Sequence, residues 1–138
     1  MKYDIQLDIA TGNSRTQKKY KNNKMQWSEL AKRLETTVRT PETIEEYFKM
    51  PKSKQDDIKD VGGFVGGYLM DGRRTHVKHR QVICLDADFG GLDEVWDTWC
   101  ILRGNASAMY STHKHTPEKP RIRLVIPLDR RTHPYLTH

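Results

Sequence analysis

The chain has 138 residues, 36% of them hydrophobic, and a net charge of +6, with a mean hydropathy of −0.83. That length suits one domain with a core of its own. No run approaches the ~18 apolar residues of a membrane span, and no N-terminal stretch has a signal-peptide pattern, so a cytoplasmic protein without a membrane partner is expected.

Tyr3-Asp4-Ile5-Gln6-Leu7-Asp8-Ile9 alternates strictly, which predicts a half-buried strand, and Gly12 to Arg15 turns the chain. The basic run Lys18 to Lys24, with Tyr20 inside it, reads as a solvated loop, with a nucleic-acid contact as the sharper alternative. Trp27, Leu30, Ala31 and Leu34 share a helix face. Thr40-Pro41-Glu42 reads as the start of a second helix, with Ile44, Tyr47 and Phe48 on its buried side, Pro51 as its breaker and a short helical piece from Ser53 to Ile58. Val61 to Met70 is a Gly-rich strand. It lacks the Gly-Lys-Ser/Thr ending of a phosphate-binding loop, so its glycines predict close backbone packing or a bulge. Asp71-Gly72 turns into a basic loop, Arg73 to Arg80.

Next comes an apolar run ending in two acids, Val82-Ile83-Cys84-Leu85-Asp86-Ala87-Asp88, which reads as a buried strand. Gly90-Gly91 precede a helix from about Leu92 to Arg103, cored by Leu92, Val95, Trp96, Trp99 and Leu102. A strand from Ala106 to His113 follows, parallel to the first. A turn at Pro117 to Pro120 returns the chain antiparallel through Arg121 to Ile126, where Pro127 ends the strand. This β-α-β-β order is half of a ferredoxin-like or RRM-like sheet, so the expected class is α/β (α+β) with the N-terminal strand and helices packed beside it. Cys84 and Cys100 have no metal-like spacing and read as buried free thiols.

Strand side chains repeat every two residues. Asp86 and Asp88 therefore share a face, as do Ser111 and His113, and Arg121 and Arg123. Three such pairs on neighbouring strands could converge on one patch, an inventory that suits a divalent metal carrying a polyphosphate. The charge distribution agrees. Gln81 to Cys100 holds five acids and no Lys or Arg, while Arg73, Arg74, Lys78 and Arg80 lie before it and Lys114, Lys119, Arg121 and Arg123 after it.

Val82 to Asp88, Tyr110-Ser111-Thr112-His113 and Pro117 to Leu128, in this order, resemble the archaeo-eukaryotic primase, or primase-polymerase, superfamily. The chain is most similar to the primase domain at the N-terminus of phage and prophage replication proteins, including those with a virulence-associated E helicase part. The resemblance implies that Asp86 and Asp88 hold Mg²⁺ or Mn²⁺. It implies that His113 with Ser111 contacts the phosphates of an NTP or dNTP. Arg121 and Arg123 suit the same phosphates. Arg73, Arg74, Lys78, Arg80 and Lys114 could guide a DNA template. A replicative helicase domain is the implied partner in the full-length protein. The family carries a third acidic motif on a later strand, which is not found before the chain stops. The chain is thus expected to be one partial domain, with an N-terminal half over 1–80, a motif-bearing half over 81–128 and a tail over 129–138.

Three other readings remain open. The first is a non-catalytic nucleotide- or nucleic-acid-binding module derived from that fold. The second is a rolling-circle nickase using His113-Lys114-His115 and Tyr135. The third is a zinc hydrolase using His113, His115 and Cys84.

Overall fold

A computed structural model describes residues 3–88, 93, 97 and 104–134. Strand β1 (Gln6–Gly12) is the centre of a three-stranded sheet, between β2 (Lys21–Gln26) and β3 (Gly63–Val65), both antiparallel to it. The alternation from Tyr3 to Ile9 predicts one wet face. Instead Leu7, Asp8, Ile9 and Ala10 are all buried, because both faces of the strand are covered. Leu7 and Ile9 join Met25, Trp27, Leu30, Val82 and Val125 in the main core, and Ala10 packs with Tyr20 and Leu69 in a second cluster.

The basic run expected to be a loop is, from Lys21 onward, strand β2. It pairs with β1 from Gln6↔Gln26 to Thr11↔Lys21. Lys21 and Lys24 are exposed, as suits an edge strand, the half-buried Asn22 side chain bonds both the N–H and the carbonyl of Leu69, and Met25 alone turns fully inward. Helix α1 (Trp27–Glu35) follows directly and buries Trp27, Leu30 and Ala31, as its periodicity predicts.

Helix α2 (Ile44–Lys49) begins later than expected. Its cap is Thr43, whose hydroxyl accepts from the Glu46 N–H at 3.1 Å while the Glu46 carboxylate accepts from the Thr43 N–H at 3.3 Å. Thr40 to Glu42 lie outside it. A capping box satisfies two otherwise orphaned N–H groups. Thr43→Ala is therefore expected to cost about 1 kcal/mol, read as a fall of about 3 °C in melting temperature. Tyr47 is buried, whereas Phe48, expected on the buried side, is half exposed. Helix α3 (Lys52–Ile58) matches the short helical piece.

The Gly-rich strand is two strands in two sheets. β3 ends at Val65 and β4 (Gly67–Leu69) belongs to the second sheet. Gly66 forms the corner between them. A Cβ on Gly67 would overlap the carbonyl oxygen of His79 on the neighbouring strand, so the backbone approach there requires glycine.

The second sheet has the order β4-β5-β7-β6, with β5 (Val77–Ala87), β6 (Ala108–Ser111) and β7 (Ile122–Thr132). β7 is antiparallel to both β5 and β6. β5 and β6 are thus parallel with β7 between them, a split β-α-β arrangement. The helix expected over Leu92–Arg103 lies outside the described residues except for Asp93 and Asp97, both helical. Antiparallel sheets mixed with helices, α1 to α3 among the described residues, make the class α+β.

Two strand boundaries differ from expectation. β5 begins at Val77 and takes in Lys78 to Arg80 from the presumed loop. β7 runs through Pro127 to Thr132, so residues 129–132 are sheet rather than tail. Proline survives there because the β5–β7 register shifts between Arg80 and Val82, and a ladder irregularity tolerates the missing N–H. No helix among the described residues is long and apolar enough to cross a membrane.

Candidate functional site: a charged sheet face

Register decides which of the expected residues share a face. Asp86 lies opposite Arg123, and Arg123 opposite Tyr110, so these three form one row across β5, β7 and β6. Within it the Arg123 Nε donates to Asp86 Oδ1 at 2.6 Å and a second guanidinium nitrogen approaches Oδ2 at 3.3 Å. Arg123 also shares a side-chain hydrogen bond with Tyr110, and the Asp86 carboxylate, despite partial burial, holds the guanidinium's pKa above its ordinary value. One step further along, Arg121 comes within 4.0 Å of Asp88. The i, i+2 spacing thus places two acids against two guanidiniums on one open sheet face.

Ser111 does not join them. It lies opposite Ile122, which lies opposite Ala87, so it points to the other face of the sheet. Tyr110 stands where a hydroxyl was expected. Sequence parity could not decide this, since the alternation of β6 is legible but not its phase against β7.

His113 falls beyond the end of β6, in the turn, and is free of the strand's alternation. Its ring packs edge-on against Tyr47 at 4.6 Å between centroids, and its Nε2 lies 3.6 Å from Glu42. A hydrogen bond from Thr40, and secondarily the nearby imidazole, hold the Glu42 carboxyl below its usual range. A carboxylate that orients an imidazole is a common supporting device. Glu42 and Tyr47, read from sequence as helix-start and helix-core residues, therefore position His113. The turn closes beside Arg121: the Thr112 N–H donates to the Arg121 carbonyl at 2.9 Å, and the Arg121 N–H donates to His115 Nδ1 at 3.1 Å. This links His113 to the Asp88–Arg121 pair.

His115 is occupied in closing that turn, and Cys84 is an exposed free thiol, not the buried one expected. That face of β5 is fully buried at Val82 but open at Cys84 and Asp86. Cys100 and Tyr135 lie outside the described residues. Among the described residues no three His, Cys, Asp or Glu side chains come together as a metal cluster. The zinc reading therefore has no ligand set there. Asp86 and Asp88, exposed and two residues apart, have the hard oxygen donors that suit Mg²⁺ or Mn²⁺ of the kind that keeps several waters and is completed by substrate phosphates.

The expected template-guiding residues do not form one patch. Arg73 and Arg74 line a pocket with Lys18 and Lys19. Lys78 lies over the Tyr68 ring at 5.9 Å, and Arg80 is half-buried in β5. Lys114 is at the far end of the sheet, where burial first, and then Lys52, Lys59 and Arg121, lower its pKa.

One charged cluster escaped the sequence reading. Asp8 is buried within β1, with its carboxylate bonded to Lys24, to His79 Nε2 at 2.6 Å and to Arg131 Nε at 3.2 Å. Its backbone N–H donates to Gln81 Oε1 at 3.0 Å. Burial pushes the carboxyl up, but the hydrogen bonds from Lys24 and His79 and the charges of Lys24 and Arg131 outweigh it, and its pKa is lowered. A bulge arranges this. The N–H groups of Gln81 and Val82 both donate to the Gly66 carbonyl, at 2.8 and 3.1 Å, so His79 and Gln81 turn toward β1 and Val82 does too.

Two packed antiparallel sheets, one presenting paired acids and guanidiniums beside a braced histidine, define an α+β domain with a charged sheet face. The family model of the VapE N-terminal domain matches residues 1–135, and the chain belongs to that family, which is found in virulence-associated E replication proteins of phages and prophages. No curated protein and no solved structure gives a significant match.

Proposed function

We propose that this domain binds a metal-complexed nucleoside triphosphate on the charged sheet face, as the nucleotidyl-transfer site of a primase-polymerase acting in phage-type DNA replication. The observation that carries the reading is the cross-strand row Asp86–Arg123–Tyr110 with Asp88–Arg121 beside it. Exposed ion pairs contribute only about 0–1 kcal/mol to folding, so stability is a weak reason to hold two acids and two arginines in register. A metal–triphosphate complex matches both sets. Asp86 and Asp88 would hold Mg²⁺ or Mn²⁺ through hard oxygen ligands. Arg121 and Arg123 would exchange their carboxylates for phosphate oxygens, which a guanidinium fork fits in the same geometry. His113, braced by Glu42 and Tyr47, would meet the phosphate tail from the turn. When bound, the ion would supply stabilisation of charge on the transferring phosphoryl group and activation of the attacking hydroxyl. A DNA template and a replicative helicase domain are the partners this reading entails, and Lys114 at the same end of the sheet suits the template.

A second reading is a module that binds nucleotide without transferring it. No group of three acids or imidazoles that could hold a metal occurs among the described residues, which favours binding over two-metal transfer.

Thermal unfolding tests the common core of both readings. A ligand at 100 times its Kd adds about 2.7 kcal/mol to stability. The melting temperature should rise clearly with dNTP plus Mn²⁺ and little with either alone. An equal rise with dNTP in a chelator would remove the metal from the account. Primer extension with Mn²⁺ then separates transfer from binding.

A further inference from the structure

At the other end of β5 from the acid pair, four cations meet with no counter-ion among the described residues. Lys18, Lys19, Arg73, Arg74 and Thr75 line a shallow pocket of about 340 Å³. They come from two segments more than fifty residues apart in the chain, and the backbone locks the two together. Lys19 and Arg73 form a bridge, and the Tyr20 N–H donates to the Gly72 carbonyl at 2.8 Å. Gly72 takes φ +70°, and a Cβ there would lie 2.6 Å from the Tyr20 carbonyl oxygen. Only glycine lets the segments close at that distance.

Arg74 is held in place. Its guanidinium stacks over the Tyr20 ring at 5.1 Å and donates to the Arg15 carbonyl at 2.8 Å. Elsewhere arginines and lysines meet carboxylates, as at Arg15–Asp57, Lys52–Asp56 and Arg123–Asp86. Among the described residues none of the four pocket cations is in an ion pair, and Asp71, the acid nearest in sequence, does not line the pocket. Like charges gathered on a fixed frame repel one another, and the gathering is favourable only with an anion between them. No aromatic side chain lines the pocket, so its four cations offer charge to phosphates and no ring on which a base could stack.

We propose that this pocket is a second anion site, which seats the phosphodiester backbone of nucleic acid without regard to sequence. The proposal deepens the nucleic-acid part of the reading above and does not rest on metal or nucleotide binding at Asp86 and Asp88. From Val77 to Asp86 the strand takes nine residue-to-residue steps, roughly 30 Å at about 3.3 Å per step. The pocket would therefore anchor a strand well away from the acid pair.

Fluorescence anisotropy on the full chain tests it, with a labelled oligothymidylate, a duplex of equal length and anionic lipid vesicles as three arms. The variant is Lys18→Gln, Lys19→Gln and Arg73→Gln together, with exposed side chains, and it spares Arg74 with its stacking contact. Each neutralised single-strand phosphate contributes about 0.7 to the slope of log K against log salt, and each duplex phosphate about 0.9. The triple variant should lose at least tenfold in affinity near 100 mM salt, and its slope should fall by about 2, with an unchanged melting temperature. Whichever nucleic-acid arm shows this loss identifies the form bound. Asp86→Asn with Asp88→Asn should leave the loss and the slope as they are, so failure of the nucleotide reading would be seen separately. Affinity and slope equal to wild type in the triple variant would overturn the proposal, as would vesicles binding in preference to both nucleic acids.

Discussion

Asp8→Ala is expected to lower folding stability by about 2–3 kcal/mol, more than any other single change described above. Removing one partner from a buried ion pair costs about 3–5 kcal/mol when the survivor is stranded. Here Lys24 and Arg131 are more than half exposed and regain water, which places the cost below that range. The measurement is thermal unfolding at neutral pH, where a fall of about 6–10 °C is expected for a chain of this size. The pH dependence has a definite sign. A carboxyl whose pKa is lowered by folding contributes stability above its unfolded value, about 3.9, and loses it as pH falls through the folded value. The difference between wild type and Asp8→Ala should therefore be full at pH 7 and shrink below about pH 4. A difference that is small at neutral pH, or that grows toward acid, would show that the cluster does not hold the two sheets together.

The second large effect separates binding from folding. Asp86→Asn with Asp88→Asn should change the melting temperature little, because both acids are exposed and their ion pairs are of the weak surface kind. The same variant should weaken metal-dependent dNTP binding by about tenfold or more, since amides replace the two charged ligands that a hard cation requires. Calorimetric titration with dNTP and Mn²⁺ reads this directly. Retained affinity in a folded variant would move the metal elsewhere on the chain.

Much of the charged face was legible in the sequence because its elements are local. The i, i+2 spacing puts Asp86 with Asp88 and Arg121 with Arg123 on common faces, Asp88 just after β5 and Arg121 just before β7, and the turn at Pro117 to Pro120 makes β7 the antiparallel neighbour of β6, while its place beside β5 is set by the sheet order. What was not legible was relational. The phase of β6 against β7, which exchanges Ser111 for Tyr110, depends on pairing between segments with no marker of register. Asp8 looked like the polar half of an alternating strand. Its burial follows from a bulge at Gln81 and from Arg131, contributed by a strand that Pro127 seemed to end. The split of Val61 to Met70 between two sheets likewise follows from the corner at Gly66, where a single strand was the simplest reading of the sequence. His113 stands out in the sequence through its motif, yet its neighbours Glu42 and Tyr47 lie some seventy residues away in sequence.

Electron paramagnetic resonance of Mn²⁺ tests the central claim most directly, because the free aqueous ion gives a signal that is lost on binding to protein. Titrating Mn²⁺ into the chain with dNTP present should show ions removed from solution beyond what dNTP alone binds. That excess should vanish in Asp86→Asn with Asp88→Asn and survive in Asp8→Ala at a temperature where the variant is folded. An excess equal in wild type and the Asp86/Asp88 variant, or none in wild type, would contradict the assignment of the charged sheet face as a metal–nucleotide site.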